Sequence, residues 1–185
     1  MRIAAALLLA AALAACAATG QRHAHLYYVL EAPRAGASAP HANLAVPATT
    51  AAAFYDTQDI VFSRASGVRA YYQFNHWTER PQRVVHAALV ARLGSGASDA
   101  PYVLTTRLDE MYHDAAHPPG SSHITLTAEL VEREHGTLVA RRTFRRSAPA
   151  TSYDARGAVQ AFAEALAPLA DDVAQWTRQE LPTGR

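Results

Sequence analysis

The chain has 185 residues and a single cysteine, and all 17 of its Lys and Arg residues are arginine. This length favours one domain with a buried core. One cysteine excludes a disulfide framework within the chain and any cysteine-cluster metal site. Beyond residue 15, sixteen arginines balance sixteen acidic residues. Because a neutral domain gains no counterion-release drive, we expect no nucleic-acid partner.

The first 15 residues predict a signal peptide. Arg2 precedes an apolar run of about 13 residues that ends immediately before Cys16. Because about 20 residues are needed to span a bilayer, the run is too short for a transmembrane helix. Residues 13–16 resemble the bacterial lipobox, in which the cysteine thiol takes a diacylglyceryl group before cleavage. The pattern predicts lipid attachment at Cys16; the alternative is an ordinary secretory signal with a chance cysteine.

Residues 16–25 have no apolar periodicity and are predicted to form a lipidated tether, followed by a single domain over residues 26–180. A cysteine that carries several acyl chains anchors a protein stably at a membrane. In bacterial lipoproteins, an aspartate after this cysteine commonly directs retention at the inner membrane. Ala17 occupies that position, which favours an outer-membrane protein that faces the periplasm.

The first half of the domain is predicted to contain short strands followed by a helix. Runs of aromatic and branched residues predict strands over 26–30, 43–46, 59–62 and 68–74. Ser66 and Gly67 form the turn of a hairpin between the last two strands. Pro81 in the first turn, an apolar stripe that ends at Leu93, and Gly94 as the C-cap predict the helix.

The second half begins with a predicted strand over 102–111 and a loop over 113–122. Alternating apolar and polar residues then predict a hairpin over 123–146. Asp154 caps a final helix, whose apolar stripe consists of Val159, Phe162, Leu166, Leu169, Val173 and Trp176. This stripe predicts a core face, with a partner-docking face as the alternative.

These elements predict an α+β fold with a largely antiparallel β-sheet and the two amphipathic helices packed on one face. The sequence contains no alternating βαβ pattern. A doubly wound nucleotide-binding fold is therefore disfavoured.

The sequence carries no motif typical of catalysis. Gly-x-Ser-x-Gly, His-Glu-x-x-His and phosphate-loop patterns are missing, and without lysine Schiff-base chemistry is excluded. His113, Asp114, His117 and His123 are residue types that bind metals. Because His113, Asp114 and His117 fall in the predicted loop and His123 lies beyond its prolines, their spacing fixes no geometry, and we favour the alternative of a solvated loop. We therefore predict no catalytic residue, cofactor or metal site.

Four arginines, Arg141, Arg142, Arg145 and Arg146, lie in the last predicted strand. Together they would suggest a patch for anionic lipids. However, neighbouring residues on a strand point to opposite faces, so the four do not form one cluster. We interpret strand 138–146 as a solvated edge that can accept a partner strand.

The order and spacing of several motifs resemble the ABC-type transport auxiliary lipoprotein family over about residues 16–178. The motifs are the lipobox ending at Cys16, the opening at 27–32, the segments 55–56 and 60–63, the aromatic segment 71–77 with Pro81, the hairpin strand 138–144, and the final helix at 169–176.

The resemblance implies an outer-membrane-anchored lipoprotein subunit of a transport system built on mammalian-cell-entry (MCE) domains. Such systems move lipids or hydrophobic compounds between membranes. It further implies a binding or scaffolding role without enzyme activity, an MCE-domain protein as partner, and Cys16 as the only site that carries over; a homo-oligomer is compatible with it. The alternatives are a pilotin-like assembly factor of another envelope machine and an envelope hydrolase that uses the His113 loop.

Replacing Cys16 with serine should abolish lipidation, because Cys16 is the only thiol of the chain and ends the apolar run. We expect Cys16→Ser to yield an unprocessed or soluble periplasmic form. Metabolic labelling with palmitate measures the change. Label on the serine variant would refute the assignment.

Overall fold

Three antiparallel pairings dominate the sheet of the computed structural model, which describes residues 23–31 and 41–182. The predicted signal peptide, Cys16 and most of the tether lie outside the described residues. The described strands are β1 (Leu26–Tyr28), β2 (Leu44–Ala45), β3 (Thr50–Ala51), β4 (Asp59–Ser63), β5 (Ala70–Trp77), β6 (Tyr102–Asp114), β7 (Ser121–Glu132) and β8 (Thr137–Pro149). The helices are α1 (Pro81–Leu93) and α2 (Ala155–Glu180), and Ala53–Tyr55 forms a 3-10 turn.

The strands form one sheet in the order β1-β5-β4-β6-β7-β8, and β2 and β3 also pair with β6. The pairs β4–β5, β6–β7 and β7–β8 are antiparallel. The short strands β1, β2 and β3 pair in parallel, as do the ends of β4 and β6. With both helices on one face, the predicted α+β fold with a largely antiparallel sheet is confirmed. The parallel pairings were not predicted.

The loop predicted over 113–122 was wrong at both ends. β6 continues to Asp114, which pairs with Ser121 of β7, so the connection is confined to residues 115–120. The strong turn signals are Pro118, Pro119 and Gly120. They determine the position of the turn but do not shorten the strands on either side of it. The long ladder between β6 and β7 extends both strands up to that turn.

A bulge in β6 controls which side chains reach the core. The register with β7 shifts between Leu108 and Glu110, so Asp109 is an extra residue. The alternation of side chains between the two faces of the sheet therefore shifts by one residue after the bulge. Leu108 and Met111, three residues apart, are both buried in the core.

α2 is the main cover of the sheet. The Asp154 carboxylate accepts a hydrogen bond from the Gly157 amide at 2.8 Å, which confirms the predicted cap. This bond holds the pKa of Asp154 below its usual value. The predicted stripe is buried from Phe162 to Trp176, and Val159 is half-buried. The stripe is therefore a core face.

Aromatic pairs join α2 to both sides of the sheet. Phe162 meets Trp77 of β5 edge to face, with ring centroids 5.7 Å apart. Trp176 meets Phe144 of β8 in the same way at 5.6 Å. Such pairs contribute about 0.5–1.5 kcal/mol beyond their buried area.

α1 is fixed to α2 by a buried arginine that the sequence did not single out. Pro81 lies in the first turn and Gly94 ends the helix with φ +75°, as predicted. The Arg92 side chain, only 7% exposed, donates to the Asp171 carboxylate at 2.5 Å. It also donates to the carbonyl oxygens of Ala88 and Ala167. These bonds offset the cost of burying the charge.

Replacing Trp176 with alanine should cost about 3–5 kcal/mol of unfolding free energy, from lost transfer energy plus a cavity. The ring is 4% exposed and packs on Phe144. Denaturant melts of a soluble form that begins at Gln21 measure the loss. The exposed neighbour Gln175 is the matched control, and Gln175→Ala should change stability by no more than about 0.5 kcal/mol. A loss below about 1 kcal/mol for Trp176→Ala would contradict the assigned core.

Candidate functional site: the open sheet face and the β8 edge

The helices cover one face of the sheet, and the opposite face, here called the open face, carries polar and charged side chains. Leu104 and Leu126 point to the covered side and are fully buried. Thr105, Arg107 and Arg145 point to the open side and are exposed. The alternation of strand side chains thus separates a core from a surface that is available to a ligand or a partner.

His113 lies on the covered face. Its side chain is fully buried. Its Nε2–H donates to the Pro119 carbonyl at 3.2 Å, and its Nδ1 accepts from the Tyr72 hydroxyl at 2.8 Å. Gly120 has φ +88°, and a Cβ there would approach His113 Nε2 to 2.3 Å. Glycine at this turn is therefore required by the buried ring.

Burial sets the protonation state of this pair. Loss of solvation lowers the pKa of His113 below 6.5, against the opposing effect of its hydrogen bond to Pro119. Loss of solvation also raises the pKa of Tyr72 to about 12. Both groups are neutral at pH 7, which agrees with a hydroxyl that donates to an imidazole.

The other members of the predicted histidine group do not join His113. The His123 ring lies parallel to Tyr112 with centroids 5.1 Å apart, and Tyr112 and Asp114 alternate with His113 along β6. His123 Nε2 lies 3.0 Å from the Ser121 hydroxyl and 3.9 Å from an Asp114 oxygen. His117 is exposed in the connecting turn. The group is therefore divided, and its geometry favours the solvated-loop interpretation for His117 and a core role for His113.

The four arginines of β8 alternate between faces, as predicted. Arg141 pairs with Glu129 across the ladder at 3.0 Å. Arg146 pairs with Asp172 of α2. The Arg142 guanidinium lies 5.2 Å from the centroid of the Phe144 ring. Arg141 and Arg145 face the open side, while Arg142 and Arg146 lie beside α2.

A groove of about 400 Å³ crosses the open face beside Arg145. Its walls include Glu110, Tyr112, His123, Thr125, Arg145 and Ser147. The Arg69 guanidinium covers the Tyr112 ring at 3.6 Å from its centroid and reaches Glu110 at 3.4 Å. Burial raises the pKa of Tyr112 above 10.0. The sequence did not reveal this cluster, because its members come from β6, β7, β8 and the residue before β5.

β8 is the last strand of the described sheet, as expected for an edge. Of its 13 residues, only Phe144 is buried. Leu138 and Val139 at its start are apolar yet 51% and 38% exposed. One main-chain edge of β8 pairs with β7, and the other remains available for a further strand.

Three ligand-type side chains meet at the β7–β8 turn: Glu132, Glu134 and His135. The Glu132 carboxylate already accepts the amides of Glu134 and His135 at 2.8 and 3.0 Å. These bonds, led by that from His135, hold the pKa of Glu132 below its usual value. The hydrogen bonds within this cluster therefore stabilise the turn between β7 and β8.

No helix within residues 23–31 and 41–182 combines the length and the apolar character that a membrane span requires.

The buried neutral His113 should make the fold sensitive to acid. Below pH 6.5 the unfolded chain binds a proton that the folded chain accepts only at lower pH, so stability falls as pH falls through this window. We expect His113→Gln to flatten the dependence of unfolding free energy on pH between about 7 and 5. His117→Gln, at an exposed position, is the matched control. An unchanged slope in the His113 variant would show that His113 is not the responsible group.

Two crystal structures share the fold of this chain, and a family model matches its sequence. The chain aligns with the protein XCC0632 from Xanthomonas campestris, of the DUF330 family, at 22% identity and a TM-score of 0.73, over 83% of this chain and 95% of that one. A second crystal structure, of an uncharacterized protein, aligns at 15% identity and a TM-score of 0.65, over 83% and 99%. No curated protein sequence matches the chain. The family model described as "ABC-type transport auxiliary lipoprotein component" matches residues 28–174, and the chain belongs to this family.

Proposed function

We propose that the chain is a non-enzymatic, outer-membrane-anchored lipoprotein subunit of an MCE-type ABC transport system that moves lipids or hydrophobic compounds between membranes. The family match over residues 28–174 carries this proposal. The role is to hold an MCE-domain protein of the same system, and β8 is the strand that receives it.

The lipid anchor of this proposal is Cys16. Nine residues, 17–25, separate Cys16 from β1. At about 3.3–3.6 Å per residue they reach at most roughly 30 Å. A domain on a tether of this length stays close to the membrane and can still reorient toward a periplasmic partner.

The geometry of β8 supports strand addition. Its 13 residues extend over roughly 43 Å at about 3.3 Å per residue. A partner strand would gain main-chain hydrogen bonds along this length, and the side chains would select the sequence. Among the described residues, neither Arg142 nor Arg145 forms an ion pair with a carboxylate. We therefore infer that the partner strand carries acidic side chains opposite them.

The division of the predicted histidine group supports a non-enzymatic role. His113 is buried and hydrogen-bonded on both ring nitrogens. His123 is half-buried on the open face beside Asp114. A hydrolase would need an acid–base group and a nucleophile within hydrogen-bond reach of one another and of a substrate, and His113 has no such access.

In-cell crosslinking tests both the partner and the surface. Photoreactive probes at Thr137 and Arg145, both exposed on β8, should capture an MCE-domain protein. Matched probes at Ala87 and Ala91, exposed on α1, should not capture it. Mass spectrometry identifies the captured protein.

Two results would contradict the proposal in different ways. Capture from α1 and not from β8 would place the partner on the wrong surface for strand addition. Failure of probes over the whole domain to capture any transporter subunit would refute the family-based function itself.

A further inference from the structure

The edge strand β1, at the far side of the sheet from β8, begins a segment with exposed apolar side chains. Leu26, Tyr27 and Val29, here called the β1 patch, are 49%, 63% and 61% exposed. From His23 to Leu30 the sequence contains no aspartate, glutamate or arginine. Among the described strands, only β5 pairs with β1. Natural sheet edges are usually protected by charges, so an exposed edge without them indicates a contact surface.

The start of the described chain is fixed on β5. His25 Nδ1 and His76 Nε2 are 2.8 Å apart, and His76 Nδ1 lies 2.9 Å from an Asp59 oxygen. An ionised carboxylate only accepts, so His76 donates to Asp59 and accepts from His25. The His23 ring stacks on Phe74, with centroids 4.8 Å apart. These contacts hold the residues before β1 in place and keep the β1 patch on the outside.

Docking of His23 on β5 shortens the part of the predicted tether that can extend. Six residues, 17–22, lie between Cys16 and His23. At about 3.3–3.6 Å per residue, this connection spans at most roughly 25 Å. An acylated Cys16 lies at the membrane surface, so the β1 patch stays within about this distance of lipid.

The tether makes the membrane the nearest large surface for the β1 patch. In the sheet order, β8 lies five strand spacings away from β1, which is about 24 Å at about 4.8 Å per spacing. The anchored end of the domain is therefore the β1 edge. This placement favours lipid over a protein strand as the occupant of the patch.

We propose that the β1 patch rests in the headgroup layer of the membrane that anchors the chain, an inference that rests on the lipid anchor of the proposed function. A tyrosine such as Tyr27 combines an apolar ring with a polar hydroxyl, which is the chemistry favoured at a membrane–water interface. Leu26 and Val29 bury apolar surface at the acyl boundary. The unpaired main-chain groups of β1 keep their hydrogen bonds with water and headgroups, so the contact is shallow.

This contact gives the anchored domain an orientation. With β1 on the membrane, β8 lies at the opposite edge of the sheet and points away from lipid. The strand that receives the partner in the proposed function is thus presented to the periplasm.

The test measures the depth of single probes in the full mature lipoprotein, reconstituted into vesicles of zwitterionic phosphatidylcholine because an uncharged patch needs no anionic lipid. Acylation consumes the only native thiol, so a cysteine introduced at Leu26, Tyr27 or Val29 is the sole reactive one. An environment-sensitive fluorophore at each position should shift its emission to shorter wavelength. Lipids with a nitroxide beside the headgroup should quench it.

Cysteines at Leu138 and Val139 are the matched controls, because these side chains are also apolar and exposed but lie on β8. Their probes should show neither the shift nor the quenching. Amide hydrogen exchange provides a readout without probes. Amides of residues 26–30 should exchange more slowly in the lipoprotein on vesicles than in the unlipidated Cys16→Ser form, and those of residues 137–140 should not change.

Flotation of the vesicles separates failure of the anchor from failure of the contact. Lipoprotein missing from the floated vesicles would refute the lipid anchor and this inference with it. Lipoprotein that floats with unquenched probes at the β1 patch, or with equal quenching at β1 and β8, would overturn the contact alone. Crosslinks between two copies through a cysteine at Leu26 would likewise overturn it, in favour of a second chain as the occupant.

Discussion

The contact between the apolar stripe of α2 and one face of the sheet is the constraint on which the other features depend. Phe162 and Trp176 reach β5 and β8 from the same helix, so the helix spans the sheet from side to side. Ser122 of β7 adds a polar tie, because its buried hydroxyl donates to the Ala161 carbonyl at 2.9 Å. Since α2 and α1 occupy only one face, the other face and the β8 edge remain available for binding.

Much of this arrangement follows from local patterns. The stripe of α2 and its Asp154 cap, the Gly94 end of α1 and the strand alternation of β7 each depend on neighbours within a few residues. They are therefore predictable from the sequence. The edge position of β8 is also predictable from the sequence, because a strand rich in arginine is disfavoured inside a sheet.

Features that depend on distant pairing were not predictable in the same way. The bulge at Asp109 is a property of the ladder with β7 and has no sequence signal of its own. His113 was assigned to a loop because prolines follow it, but its partner Tyr72 lies 41 residues away in the chain. Arg92 likewise meets Asp171 across 79 residues. Such contacts require the fold before they can be recognised.

The two edges of the sheet differ in length and in the side chains that they carry. β8 is long and basic, whereas β1 is short and lies beside the histidines and Phe74. In our account a partner strand extends the sheet at β8, and the β1 edge rests on the membrane. In the proposed function, confinement to a membrane surface would raise the effective concentration of a partner, so a modest affinity at β8 would be sufficient for assembly.

The most direct test of the central claim is amide hydrogen exchange along β8, measured on the lipoprotein alone and with the proposed MCE-domain partner. The account predicts that β8 amides that do not pair with β7 become protected when the partner binds, while amides of α1 keep their exchange rates. Protection confined to α1 or β1, with β8 exchanging as in the free protein, would contradict it.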